Sequence, residues 1–226
     1  LRIDSIPIPP NLDTLKKFTT GKPNTNITLT ILREGRKDTL EITIARRQIQ
    51  LPDVSFSNVY ESDSLKVLYI KLDRFSNETP FQIRNIVSNF LKLKSQKSII
   101  MDVRNNPGGT LEPAVSICEM FLPLGATIVS IEGKNKYHNK VYKSITNPLD
   151  TTIPIVVLVN SSSASASEVL AGAFQDNDRA IIIGQPTFGK GLIQSVVDLP
   201  YESYLKITTA KYFTPSGRSL HRLRYP

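Results

Sequence analysis

Serines crowd into Ser161-Ser162-Ser163-Ala164-Ser165-Ala166-Ser167, and a lysine between glycines follows in Thr187-Phe188-Gly189-Lys190-Gly191. A serine hydroxyl is a poor nucleophile at neutral pH and needs a base within hydrogen-bond reach. The chain has 2 histidines. His138 lies in a very polar segment and His221 follows the last strong motif, so neither is well placed for a triad. Lys190 is the better candidate, because glycines on both sides let its backbone approach another segment closely. Phe188, Leu192 and Ile193 could line an apolar pocket around the amine. Desolvation there would have to bring it well below the usual lysine value of about 10.4. Lysine in place of histidine is a known variant of the serine triad.

The elements around these residues fit that use. Ile153 to Val159 is a short β-branched run that reads as a buried strand, and Val169, Leu170, Ala173 and Phe174 recur at helical spacing. Strand, small-residue turn and a helix over 165–176 make a nucleophile mounting, with free N–H groups and the positive helix end beside the hydroxyl. By residue type alone, Ser163, Ser165 and Ser167 all remain open as the nucleophile, the others serving as capping or packing hydroxyls. A second such unit precedes it: an apolar strand over 98–103, the turn Arg104-Asn105-Asn106-Pro107-Gly108-Gly109, and a helix over 110–121 that tolerates Pro113 in its first turn. Cys118 shares the apolar face of that helix with Leu111, Ala114 and Val115, which indicates packing. Leu65 to Leu72 is strand-like, and Ile83, Ile86, Val87 and Phe90 mark a helix over 81–93. This alternation predicts an α/β domain with a mostly parallel sheet and a site at the C-terminal ends of its strands.

The strings Ser-Ala-Ser-Ala-Ser-Glu at 163–168, Gly-Ala-Phe-Gln-Asp-Asn-Asp-Arg-Ala at 172–180 and Thr-Phe-Gly-Lys-Gly at 187–191, with Gln194 after them, resemble the carboxy-terminal processing, or tail-specific, serine proteases. The serine-to-lysine spacing agrees if Ser165 is the nucleophile, since 190 − 165 = 25. The resemblance implies Ser165 as nucleophile, Lys190 as base and Gln194 as the residue that holds the amine. It also implies an oxyanion hole from Ala166 and from Gly108 or Gly109. Alone, Pro-Gly-Gly reads as a tight turn feeding a helix. Phe213-Thr214-Pro215-Ser216-Gly217-Arg218 resembles the end of the family's protease core. The implied fold is a crotonase/ClpP-like core with a mostly parallel sheet, over 65–226. Two strands over 192–199 and 204–212 belong to it, joined at 200–203.

Before the core, residues 1–50 resemble the second half of a PDZ module, with a helix over 12–18, strands over 27–32 and 39–45, and Ile3-Asp4-Ser5-Ile6 like its central strand. PDZ modules capture peptide C-termini by adding a strand to a sheet edge, but the carboxylate-binding loop belongs to the half that this sequence does not contain. Residues 51–64 are polar and read as a linker or an extended strand.

Composition bounds the rest. With 226 residues, 40% hydrophobic and 21% charged, the chain is that of a globular protein of one domain or one plus a fraction. No apolar run is long enough to span a membrane, and no signal peptide is seen at Leu1. A single cysteine excludes an internal disulfide. The net charge of +8 is spread among acids with no aromatic-basic motif, so no nucleic-acid partner is expected. Lys211, Arg218, Arg222 and Arg224 form a candidate anion strip. No metal or other cofactor is expected, for want of a ligand set.

The expected function is a serine endopeptidase that engages the unstructured, apolar C-terminus of a protein substrate, with an adaptor or regulatory partner as a further expectation. An extracytoplasmic location, periplasm or cell envelope, is implied by the resemblance alone. Two other readings use the same residues: a non-catalytic relative that binds peptides or apolar ligands, and a crotonase-like acyl-transforming enzyme.

Overall fold

A computed structural model describes residues 2–48, 52–62, 64–201 and 203–222, apart from the side chains of Leu12 and His138. The chain divides into two compact units, Leu1–Leu51 and Pro52–Pro226.

The first unit is a four-stranded antiparallel sheet with one helix. Its strands are β1 (Arg2–Ile3), β2 (Ile6–Pro7), β3 (Asn26–Ile31) and β4 (Leu40–Ala45), in the order β2-β1-β3-β4, and α1 spans Leu12–Thr19. The expected central strand at Ile3 to Ile6 is instead a tight hairpin, because Asp4 takes φ 50° and its carboxylate accepts the Thr28 N–H at 2.8 Å. Asn11 caps α1 through the Asp13 N–H at 2.8 Å, and the Arg46 guanidinium closes its other end on the Phe18 and Thr19 carbonyls.

The second unit is built on a five-stranded sheet, order β11-β10-β7-β6-β5, from β5 (Val54–Glu61), β6 (Leu65–Leu72), β7 (Gln96–Asp102), β10 (Ile155–Val159) and β11 (Ile181–Gly184). All pairings are parallel except β5 with β6, so the mostly parallel sheet expected from the alternating pattern is present. Residues 54–61 are thus a paired edge strand, not a linker; their polar residues suit an edge with one wet face.

Helices α2 (Thr79–Leu91), α3 (Leu111–Glu119) and α4 (Ala166–Asp176) bury Ile83, Val87, Phe90, Ile117, Leu170 and Phe174 in one cluster with Leu68, Ile70, Leu72, Ile99, Met101, Val157 and Val159. Intervening strand residues such as Ile100, Val156 and Leu158 are only half-buried, so one face of the sheet is closed more fully than the other. Cys118 is fully buried in this cluster, and burial pushes its thiol pKa up, as a packing residue should behave.

A second antiparallel sheet, order β12-β13-β8-β9, consists of β8 (Thr127–Gly133), β9 (Lys140–Lys143), β12 (Leu192–Leu199) and β13 (Ser203–Phe213). The sequence pattern indicates β12 and β13. It misses β8, β9 and β11, which carry no clean apolar–polar alternation. Asp176 joins this sheet to α4: its carboxylate accepts the Ser216 N–H at 3.0 Å and the Ser216 hydroxyl at 2.6 Å and pairs with Arg218. The Thr-Pro-Ser-Gly-Arg motif is therefore a fold tie, and Arg218 is not a free member of an anion strip. Arg224 lies outside the described residues.

Candidate active site

Two adjacent parallel strands, β7 and β10, end in the two turns that the sequence marks, and the turns are stitched together. Asn105 and Asn160 exchange hydrogen bonds, Asn105 N–H to Asn160 Oδ1 at 2.9 Å and Asn160 Nδ2 to Asn105 Oδ1 at 2.7 Å. Ser163, fully buried, donates to the Val103 carbonyl at 2.7 Å and accepts the Asn160 N–H at 3.0 Å. Ser167, also fully buried, donates to the Asn106 carbonyl at 3.0 Å. Both neighbouring serines are thus engaged in packing, and Ser165 alone of the three stands half-buried at the head of α4.

Ser165 adopts φ 57°, ψ −114°, a conformation that costs a non-glycine residue on the order of 1–3 kcal/mol and clusters at functional sites. The small residues Ala164 and Ala166, both buried, leave room for this sharp turn from strand to helix.

Gly108 explains why the other turn needs glycine. Its φ is +98°, and a Cβ added there would fall 2.8 Å from Ser165 Cβ and 2.9 Å from the Ala166 nitrogen. The Pro-Gly-Gly turn therefore lies directly on the serine turn. Gly109, φ +156°, has no room for a side chain either, since a Cβ would fall 1.9 Å from the Phe75 carbonyl oxygen. The structure separates the two glycines as donors. The Gly108 N–H is buried and donates to Asn106 Oδ1 at 2.8 Å, whereas Gly109 is exposed and its N–H, like that of Ala166, meets no acceptor among the described residues.

Lys190 is exposed, not desolvated, and Phe188 is 50% exposed, so the apolar pocket expected around the amine is not closed. The glycines beside it do what their type suggests: a Cβ on Gly189 would fall 2.3 Å from Arg222 Cβ, and one on Gly191 would fall 2.3 Å from the His221 nitrogen. Gln194 is exposed on β12 at a register shift between Ile193 and Gln194. His221 runs beside the lysine loop and its buried Nδ1 meets no partner among the described residues; His138 ends the single helical turn Lys136–His138 between β8 and β9.

Glu168 connects the two halves, and the sequence reading overlooks it. It is 2% exposed, and its carboxylate accepts the Ser165 N–H at 2.8 Å, the Lys190 N–H at 2.8 Å, the Gly189 N–H at 2.7 Å and the Thr187 hydroxyl at 2.7 Å. Four donors on two oxygens satisfy a buried carboxylate without a cation. The Ser165-x-x-Glu168 spacing is that of a capping box, which could have revealed the tie to Ser165 but not the reach to the lysine loop.

Asp102, 1% exposed at the end of β7, supports the glycine turn by accepting from the Tyr69 hydroxyl at 2.6 Å, the Arg104 N–H at 2.9 Å and the Arg104 guanidinium at 2.6 Å. Burial works to raise its pKa, but Arg104 and Tyr69 outweigh it and hold the carboxyl at about 2. Among the described residues no cluster of acids, histidines and cysteines could hold a metal ion.

The profile of peptidase family S41 matches residues 66–224, the span that contains both turns and the lysine loop. The chain belongs to this family. A carboxyl-terminal-processing protease from Picosynechococcus sp. is 36% identical over 90% of this chain and 48% of its own length. A probable CtpA-like serine protease from Staphylococcus aureus is 35% identical over 93% of this chain and 41% of its own. Among solved structures, the photosystem II D1 C-terminal processing protease superposes with a TM-score of 0.70 at 28% identity, over 97% of this chain and 59% of that one. The chain spans about half the length of the curated relatives it matches. The resemblance noted from the serine and lysine motifs is thus shown at the level of the S41 family.

Proposed function

We propose that this S41 chain is a serine endopeptidase working through Ser165 and Lys190, with the protein substrate entering by an unstructured apolar C-terminus. The observation that carries the reading is the Ser165 turn. A strained serine heads α4 beside two N–H groups, of Gly109 and Ala166, that meet no acceptor among the described residues. As Ser165 Oγ adds to the scissile carbonyl carbon, its proton passes to the neutral Lys190 amine and the carbonyl π pair becomes an oxyanion. The two open N–H groups receive that oxyanion, each worth about 10²–10³ in rate. The protonated amine then gives its proton to the leaving amine, and water, activated by the same lysine, releases the acyl group. Gln194 steadies the amine in this reading. Because Lys190 is exposed, it becomes an effective base only when bound substrate or closure of its loop removes water from it.

The core is of the crotonase/ClpP-like kind in this reading, and the first unit is part of a PDZ-like module that takes up the substrate tail. Location outside the cytoplasm, and an adaptor or regulatory partner, go with the same reading. The test is cleavage of a peptide with an apolar C-terminus by Ser165→Ala and by Lys190→Ala, each as the full-length protein. Both are expected to be inactive; wild-type cleavage by either would refute the dyad.

A further inference from the structure

Asn106 links three segments of the site, and its whole side chain is buried. Nδ2 donates to the Leu72 carbonyl at the end of β6 at 2.9 Å, and Oδ1 accepts the Gly108 N–H at 2.8 Å. Its own N–H donates to the Val103 carbonyl at 3.2 Å. Its carbonyl accepts both the Ala164 N–H and the Ser167 hydroxyl at 3.0 Å. One residue therefore grips the end of β6, the glycine turn and both flanks of Ala166.

We propose that Asn106 is the positioning residue of the oxyanion hole, setting the Gly109 and Ala166 N–H groups relative to each other; this rests on the reading of Ser165 as nucleophile. By engaging the Gly108 N–H, Asn106 decides which glycine is left open. The Gly108 carbonyl in turn accepts the Phe75 N–H at 3.0 Å, and across a planar trans peptide the Gly109 N–H points the opposite way. The second donor, Ala166, is bracketed by Ala164 and Ser167, the two residues that Asn106 holds through its carbonyl. Preorganised donors are effective only where their geometry is fixed before the reaction, and a displacement of about 1 Å costs on the order of 10²-fold.

The role separates from a merely structural one in what it does to the tetrahedral state. A peptide aldehyde adds Ser165 Oγ to its carbonyl carbon and places an oxyanion in the hole, whereas an uncleaved peptide bound to the Ser165→Ala protein does not. Asn106→Ala in the full-length protein should lose about 10²-fold in kcat and a similar factor in aldehyde affinity. Peptide affinity on the Ser165→Ala background should stay within about 2-fold, and the pH midpoint of kcat/KM should not move. Because Asn106→Ala leaves buried partners and can fail to fold, Ser167→Ala is run beside it. It removes one bond to the Asn106 carbonyl and should lose about 3- to 10-fold in both kcat and aldehyde affinity. A folded Asn106→Ala or Ser167→Ala protein that keeps wild-type kcat and aldehyde affinity would overturn the proposal, as would equal losses in aldehyde and peptide affinity. If Ser165→Ala binds the aldehyde as well as wild type, the nucleophile assignment falls and takes this inference with it. If Ser165→Ala abolishes the adduct and the Asn106 and Ser167 variants are normal, only this inference falls.

Discussion

The serine half and the lysine half of the site are held in different ways. Ser165 sits in a turn whose neighbours Ser163, Ser167 and Asn106 are fully buried and hydrogen-bonded across two parallel strands. Lys190 sits in an exposed loop that is fixed by its backbone, through Glu168 and the 220–222 segment, while its side chain faces water. In the proposed reading, preorganisation belongs to the nucleophile and oxyanion side, and the base is the part whose environment must change on substrate binding. A desolvated lysine with no substrate present would be costly to bury, so an exposed resting amine is physically the cheaper state.

This contrast predicts a hierarchy of effects. Lys190→Ala should reduce cleavage by at least about 10³-fold while leaving the melting temperature within about 2 °C, because the exposed side chain contributes little to packing. A large loss of stability would show that the lysine side is as embedded as the serine side. Glu168→Gln comes next. A glutamine amide nitrogen cannot accept N–H donors, so one half of the four-donor clamp must open. A loss of about 10- to 100-fold in kcat/KM is expected, with faster hydrogen exchange at Gly189 and Lys190 than at Ala164. Equal exchange in both turns would erase the distinction between the halves.

Acid stability, read through Asp102, tests the support of the serine side. Asp102 is held at about 2 against an ordinary value of 3.8, so it contributes stability above about 3.8 that disappears as pH falls through about 2. Melting temperature should decline across that window, and Asp102→Asn should flatten the decline, although Asp176, also held at about 2, keeps part of it. An unchanged slope in Asp102→Asn would contradict a folded-state role for its ionised form. The smallest effect belongs to His221→Ala. If Lys190 is the base, removing this imidazole should change kcat/KM by less than about 3-fold, and a loss near that of Lys190→Ala would transfer the base to His221.

How much of this was legible beforehand follows the physics of each feature. The strands β6, β7 and β10 and the three helices that cover them carry strong apolar periodicity, and Gly189 and Gly191 signal close backbone approach by type. The edge strand β5 read as either a linker or an extended strand because serines, an asparagine and a proline surround its few apolar residues. Strands β9 and β11 are short, and they and β8 depend on pairing that local sequence does not encode. At the site, the family resemblance singled out Ser165 among three serines and the glycine-flanked loop pointed to Lys190, but neither could show that the Lys190 amine is exposed, that Gly108 donates inward while Gly109 stays open, or that Glu168 reaches across 22 residues to the Lys190 N–H. Those are long-range contacts, decided by how the two turns meet.

The central claim is that Lys190 activates Ser165, and covalent labelling measures it most directly. Full-length wild type and Lys190→Ala are treated with a peptidyl fluorophosphonate across pH 5 to 10, and the adduct is mapped by mass spectrometry. The account predicts a single adduct on Ser165 that forms faster as pH rises and is absent in Lys190→Ala. An adduct on Ser163 or Ser167, or equal labelling of Ser165 without the lysine, would contradict it.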